Sequence, residues 1–104
     1  MKFIEFSAEG QRLSRTDGGG APVAGSEGYL VASFSLDEEW KTMKVAASFY
    51  DADGSEEAVL LGKGGACEVP AGACAGRRFD VALTGVRPGC KLKTNRVTVY
   101  QEAI

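Results

Sequence analysis

The stretch from Tyr29 to Tyr50, YLVASFSLDEEWKTMKVAASFY, limits what this chain can fold into more than any other segment. Leu30, Ala32, Phe34 and Leu36 fall on one side of an extended backbone, with Tyr29, Val31, Ser33 and Ser35 on the other. Met43, Val45, Ala47 and Phe49 repeat the pattern against Lys44, Ala46, Ser48 and Tyr50. Successive side chains of a strand point to opposite faces, so this period of two specifies two strands, each with one face turned to a core. Between them, Asp37-Glu38-Glu39-Trp40 suits one helical turn, its carboxylates near the N-terminal end where unpaired N–H groups favour negative charge. Trp40, the only tryptophan, is expected to anchor the core, because burying so large an apolar area is favourable.

The rest of the chain reads in the same way. Lys2 to Phe6, a turn at Ser7-Ala8-Glu9-Gly10, and Gln11 to Thr16 form an opening hairpin over residues 1–16, whose polar second strand suits a sheet edge. Residues 17–28, with five glycines in twelve positions, read as a flexible connection. The run Gly18-Gly19-Gly20 is not a phosphate loop, since Ala21-Pro22 stands where a lysine and a helix start are required. Asp51-Ala52-Asp53-Gly54 signals a hairpin into Glu57 to Leu61, and as a calcium loop it fails because its glycine comes too early. Gly62 to Gly65 is a turn, and Ala66 to Val69 is a short strand. Pro70 to Gly76 is a helical turn with proline at its first position. Arg78 to Gly85 is a strand with Phe79, Val81 and Leu83 inward, and Val86 to Gly89 is a turn. A final strand, Cys90 to Lys93 and Arg96 to Gln101, is interrupted at Thr94-Asn95, whose side chains can turn the chain by bonding its backbone.

Short strands joined by such turns predict an all-β fold, an immunoglobulin-like antiparallel β-sandwich of about seven to nine strands with one or two helical turns. The sandwich body is expected over residues 29–104, with Trp40, Phe34, Phe49, Phe79 and Val81 as core anchors. A chain of 104 residues fits one such domain.

Charge and residue chemistry narrow the function classes. The net charge is −2, yet residues 1–60 hold 5 basic and 11 acidic side chains, a net of −6, while residues 61–104 hold 7 and 3, a net of +4. Such opposed charge can orient copies or partners as they associate. Arg77, Arg78, Arg87, Lys91, Lys93 and Arg96 lack the interleaved aromatics of a nucleic-acid platform, so no nucleic-acid partner is expected. With no histidine, the usual general base and zinc ligand are missing. Adjacent carboxylates such as Glu38 with Glu39, or Glu56 with Glu57, would point apart on a strand. The expectation is therefore no catalytic residue, no metal and no cofactor. Cys67, Cys74 and Cys90 form no CxxC pair and read as free thiols. The start MKFIEFSAEGQR reaches glutamate before an apolar segment can develop, which predicts synthesis in the cytoplasm without a signal peptide and no membrane partner.

From Gly28 onward, about three quarters of the 104 residues, the order of features resembles a small domain of phage and prophage tail, baseplate or fibre proteins of Gram-positive bacteria. The residues that carry the resemblance are Phe34, Glu39-Trp40, Phe49, Cys67-Glu68-Val69-Pro70, Phe79 to Gly85, and Thr94-Asn95-Arg96-Val97. The resemblance implies an immunoglobulin-like sandwich that serves particle assembly or display toward the host surface, and so a virion location. Because the sequence reaches Ile104 without a fibre shaft, an accessory or assembly role is the expectation. The partners implied are other particle proteins or copies of the chain itself. The expected association surface combines Gln11, Arg12 and Arg15 with Arg87, Lys91, Lys93 and Arg96. In the competing reading the protein is a carbohydrate-binding module that stacks Trp40, Tyr29, Tyr50 or Tyr100 on a host-surface glycan.

Overall fold

Alternation along the strands decides which faces meet, and a computed structural model, which describes residues 1–103, shows two sheets closed over those faces. The elements are β1 (Lys2–Glu9), β2 (Arg12–Arg15), β3 (Leu30–Leu36), α1 (Glu38–Lys41), β4 (Lys44–Tyr50), β5 (Glu56–Leu60), β6 (Ala66–Glu68), α2 (Ala71–Cys74), β7 (Arg78–Arg87), β8 (Cys90–Lys93) and β9 (Val97–Tyr100). One sheet has the order β2-β1-β3-β6, and the other runs β5-β4-β7 with β8 and β9 both along β7. From β3 the chain crosses between sheets at α1, at the turn after β5 and at α2, which makes the fold an all-β sandwich.

Four details differ from expectation. β1 does not turn at Ser7 but continues through Glu9, because Ala8 is a core position and Leu36 of β3 lies beside it. The pairing of β1 with β3 is parallel, so the sandwich is not wholly antiparallel. Parallel neighbours need a connection long enough to bring the chain back, and here β2 begins the return and residues 16–29 complete it. β7 runs on through Val86 and Arg87, and Pro70 stands just before α2 rather than inside its first turn.

The return segment is fastened to the sandwich. Asp17 pairs with Arg15 at 2.7 Å, and the Ala24 and Gly25 N–H groups donate to the carbonyls of Glu102 and Cys74. Between the sheets the Phe6 and Phe34 rings stack with centroids 5.1 Å apart, and Phe49 tilts against Phe79 at 6.2 Å. All five expected anchors, Trp40, Phe34, Phe49, Phe79 and Val81, are buried.

Trp40 reaches its place because Asp37 caps α1. One Asp37 oxygen accepts from the Trp40 N–H and the other accepts from the Gly10 N–H at 2.8 Å, while the indole N–H donates to the Gly10 carbonyl at 2.7 Å. This clamp ties the β1–β2 turn to the crossing between the sheets. Gly85 lets the indole lie directly on β7, since a Cβ there would sit 2.8 Å from the ring and 2.6 Å from the Met43 sulfur. Gly65 combines a φ of +76° with a would-be Cβ contact of 2.7 Å to the Phe34 carbonyl, so the turn into β6 requires glycine there.

Candidate interaction surface

A β-sandwich has four lateral strand edges, and each exposed edge offers unpaired N–H and C=O groups to another chain unless something blocks it. On one side of the molecule β2 faces β9. The register of the last strand explains how that side is closed. β8 pairs Thr84 with Lys93, whereas β9 pairs Val81 with Val97, so the strand carries one extra residue between the two pairings, a β-bulge. The Thr94 hydroxyl accepts from the Leu83 N–H at 2.9 Å and so keeps β7 paired through the bulge. Asn95 is thereby aimed at the other sheet. Its side-chain oxygen accepts from the Leu13 N–H at 2.7 Å and its amide nitrogen donates to the Leu13 carbonyl at 3.0 Å. Its own N–H donates to the Gln11 carbonyl at 3.2 Å. One asparagine thus takes the place of a neighbouring strand along the edge of β2.

The other side is open, and it lies between β6 and β5. β6 has three residues and ends at Glu68, two residues before Pro70. β5 has five, with no proline and no bulge. The Leu61 N–H donates to the Val45 carbonyl, so the odd-numbered residues of β5 exchange bonds with β4, and the backbone groups of Glu56, Ala58 and Leu60 point away from the sheet. The Leu60 side chain is 70% exposed. Beside it lies a cleft of about 340 Å³ lined by Leu36, Met43, Val45, Leu60 and Leu61, with Lys41 and Lys44 at its rim and Trp40 in its floor.

The charges, divided by sequence into an acidic and a basic half, are divided in space between the two ends of the strands. The half towards α1 carries Arg12, Lys41, Lys44, Lys63, Arg87, Lys91 and Lys93 against Glu9, Asp37, Glu38 and Glu39, a net of +3. The far half carries Glu27, Asp51, Asp53, Glu56, Glu57, Glu68, Asp80 and Glu102 against Lys2, Arg77, Arg78 and Arg96, a net of −4, while Glu5 and the Arg15–Asp17 pair lie midway and complete the chain's −2. β5 spans both, from Glu56 at the acidic end to Leu60 beside Lys44.

The expected association residues do not form one patch. Gln11 and Lys93 do meet, the Gln11 side-chain amide donating to the Lys93 carbonyl at 3.3 Å. Arg12 is exposed next to them. Arg15 instead points toward Asp17 and donates to the Gly20 carbonyl at 2.6 Å, so it holds the return segment. Arg87 bonds the Thr42 hydroxyl at 2.7 Å beyond the β7–β8 turn. Lys91 and Lys93 stand along the outer edge of β8. Arg96 folds over the Tyr50 ring, its guanidinium carbon 3.6 Å from the centroid and a nitrogen 4.0 Å from Asp80. Sequence reasoning placed a strand at Glu57 to Leu61 but did not single out its edge as an association surface, although the apolar run Ala58 to Leu61 in a strand that a hairpin places at the rim was a signal for it.

The aromatic side chains do not assemble a sugar platform. Trp40 is fully buried, which removes it as a stacking ring. Tyr50 and Tyr100 share the outer face of one sheet, but Arg96 covers Tyr50, and Tyr29 lies just before β3 of the other sheet. The Asp51 carboxylate accepts from the N–H groups of Asp53 and Ser55 and so shapes the hairpin turn. Among the described residues no three Cys, Asp or Glu side chains gather where they could hold a metal ion, and no helix is long and apolar enough to cross a membrane. Burial pushes the Cys67 thiol up to about 11, and burial together with Glu68 raises that of Cys74. Cys90 is half-buried. No protein-family model matches the chain, and no curated protein matches it.

Proposed function

We propose that the protein is a non-enzymatic interaction module that associates with other protein chains along β5, and that its setting is a phage or prophage particle. The observation that carries the association is the contrast between edges: β2 is capped by Asn95, β6 is short, and β5 presents outward backbone groups beside an apolar cleft. Strand addition uses such an edge, with main-chain hydrogen bonds giving affinity and neighbouring pockets giving specificity. The particle setting rests on the resemblance carried by Glu39-Trp40, Cys67-Glu68-Val69-Pro70 and Thr94-Asn95. Its partners there are other particle proteins or copies of itself, in a tail, baseplate or fibre.

Particles and assembly intermediates purified from the producing cells test both parts. Mass spectrometry is expected to find the protein in them at a fixed stoichiometry, and Ala58→Pro, which removes an outward N–H of β5, is expected to reduce its incorporation. Absence from every particle and intermediate overturns the setting. Incorporation that Ala58→Pro leaves unchanged overturns β5 as the surface.

A further inference from the structure

Resting on that reading of β5, we infer that its partner is a second copy of this chain, paired antiparallel across β5 about a two-fold axis at Ala58. Two independent features of the molecule point the same way. The first is hydrogen-bond pattern. The outward-pointing residues are Glu56, Ala58 and Leu60, symmetric about Ala58. In an antiparallel pair with Ala58 opposite its own copy, Glu56 of each chain faces Leu60 of the other, and every outward N–H meets an outward C=O. A register displaced by one residue would set outward groups against groups already bonded to β4. No like charges stand directly opposite each other in the symmetric register, which is the arrangement that destabilises strand pairs.

The second feature is charge. β5 runs from the half with net −4 to the half with net +3. An antiparallel pair lays the acidic end of one copy beside the cationic end of the other, so that Glu56 and Glu57 approach the rim formed by Lys41 and Lys44 of the cleft. A parallel pair would place like ends together. Complementary charge fixes orientation and register as well as favouring encounter, and a two-fold contact of this kind closes on itself and gives a dimer rather than a fibre. The other three edges cannot offer the same pairing: β2 is capped, β6 has three residues, and the last strand is broken by its bulge.

The test uses the full chain in sedimentation equilibrium and light scattering over a concentration series. The wild type is expected to be a dimer. Ala58→Pro removes an N–H that points away from β4, a place where an edge strand tolerates proline, so it is expected to give a monomer with native circular dichroism. Leu60→Glu sets the new carboxylate of one copy against Glu56 of the other, and is expected to raise the dimer dissociation constant about tenfold or more. Adding Glu56→Lys to Leu60→Glu restores opposite charges in that pair and is expected to recover the dimer, an outcome specific to self-pairing in this register. A wild type that is monomeric at every concentration overturns the inference, as does a dimer unaffected by Leu60→Glu or a double variant that does not recover. A monomer whose incorporation into particles is lost with Ala58→Pro overturns only this inference, since another protein's segment then occupies β5. A dimer broken by Leu60→Glu in a protein absent from particles overturns only the setting.

Discussion

The side of the sandwich where β2 meets β9 and the side where β6 meets β5 begin from the same problem, a pair of unsatisfied strand edges, and end in opposite conditions. On the first, the bulge between β8 and β9 turns Asn95 across the gap, and its amide satisfies the Leu13 N–H and C=O. On the second, Leu36, Val45, Leu60 and Leu61 line a cleft open to solvent, and β5 keeps its outward groups free of any neighbouring strand. The difference teaches that these two sheets need only one sewn side to stay closed. Strand count does not decide which side is sewn; a single extra residue in the last strand does.

Trp40 belongs to both sides, because its indole N–H holds the β1–β2 turn through Gly10 while its ring forms part of the floor of the open cleft. Trp40→Ala therefore breaks the comparison altogether. Removing a fully buried large aromatic costs about 3–5 kcal/mol, and chemical denaturation is expected to show a loss of that order. A loss below about 1 kcal/mol, within the range of an ordinary substitution, would mean that the ring is not a shared support.

Asn95→Ala acts on the sewn side alone. It strips the Leu13 N–H and C=O of their partners, for which a cost of about 1–3 kcal/mol is expected where such groups stay buried. Hydrogen exchange separates this from a general loosening: the Leu13 amide is expected to exchange faster, and the β5 amides that bond β4 to keep their rates. Equal acceleration in both places would mean that the two sides are not independent.

These two residues also show what the sequence could and could not tell. Trp40 was legible as a core anchor because its position between two alternating strands leaves little else for so large a ring. Its partner Gly10 was not, since the bond joins residues 30 apart and no local pattern marks it. Thr94-Asn95 was legible as an interruption, and Thr94 does bond locally, to the Asn95 carbonyl and to Leu83. The reach of Asn95 to Leu13 spans 82 residues and depends on which strand happens to face the bulge. For the same reason Arg15 read as a surface cation, when its alternation with Leu13 turns it inward to Asp17. Polar side chains on edge strands are ambiguous in sequence, because the edge itself is a product of the assembled sheet.

Leu60→Ser moves to the open side and sharpens the contrast. The side chain is 70% exposed, so its replacement is expected to change the stability of the isolated chain by no more than about 0.5 kcal/mol. Thermal unfolding at low protein concentration checks this. A destabilisation as large as that of Asn95→Ala would show that the cleft is packed core and not a free surface.

The smallest effect concerns the return segment beside β2 and depends on pH. Burial alone would raise the Asp17 carboxyl, but the N–H groups of Gly19 and Glu5 and the Arg15 guanidinium together hold it below its ordinary value of 3.8. A carboxyl whose folded-state value is depressed contributes stability that is fully present above the ordinary value and is lost as pH falls through the depressed one. At neutral pH, Asp17→Asn is therefore expected to cost about 1 kcal/mol or less, the usual scale of a pair near the surface. The gap between wild type and variant should then close as the solution is acidified below 3.8. Urea unfolding of both proteins across that range reads the gap directly. A difference that stays constant with pH would assign the contribution of Asp17 to the shape of its side chain and not to its charge, and the return segment would then be held by its bonds to Glu102 and Cys74 alone.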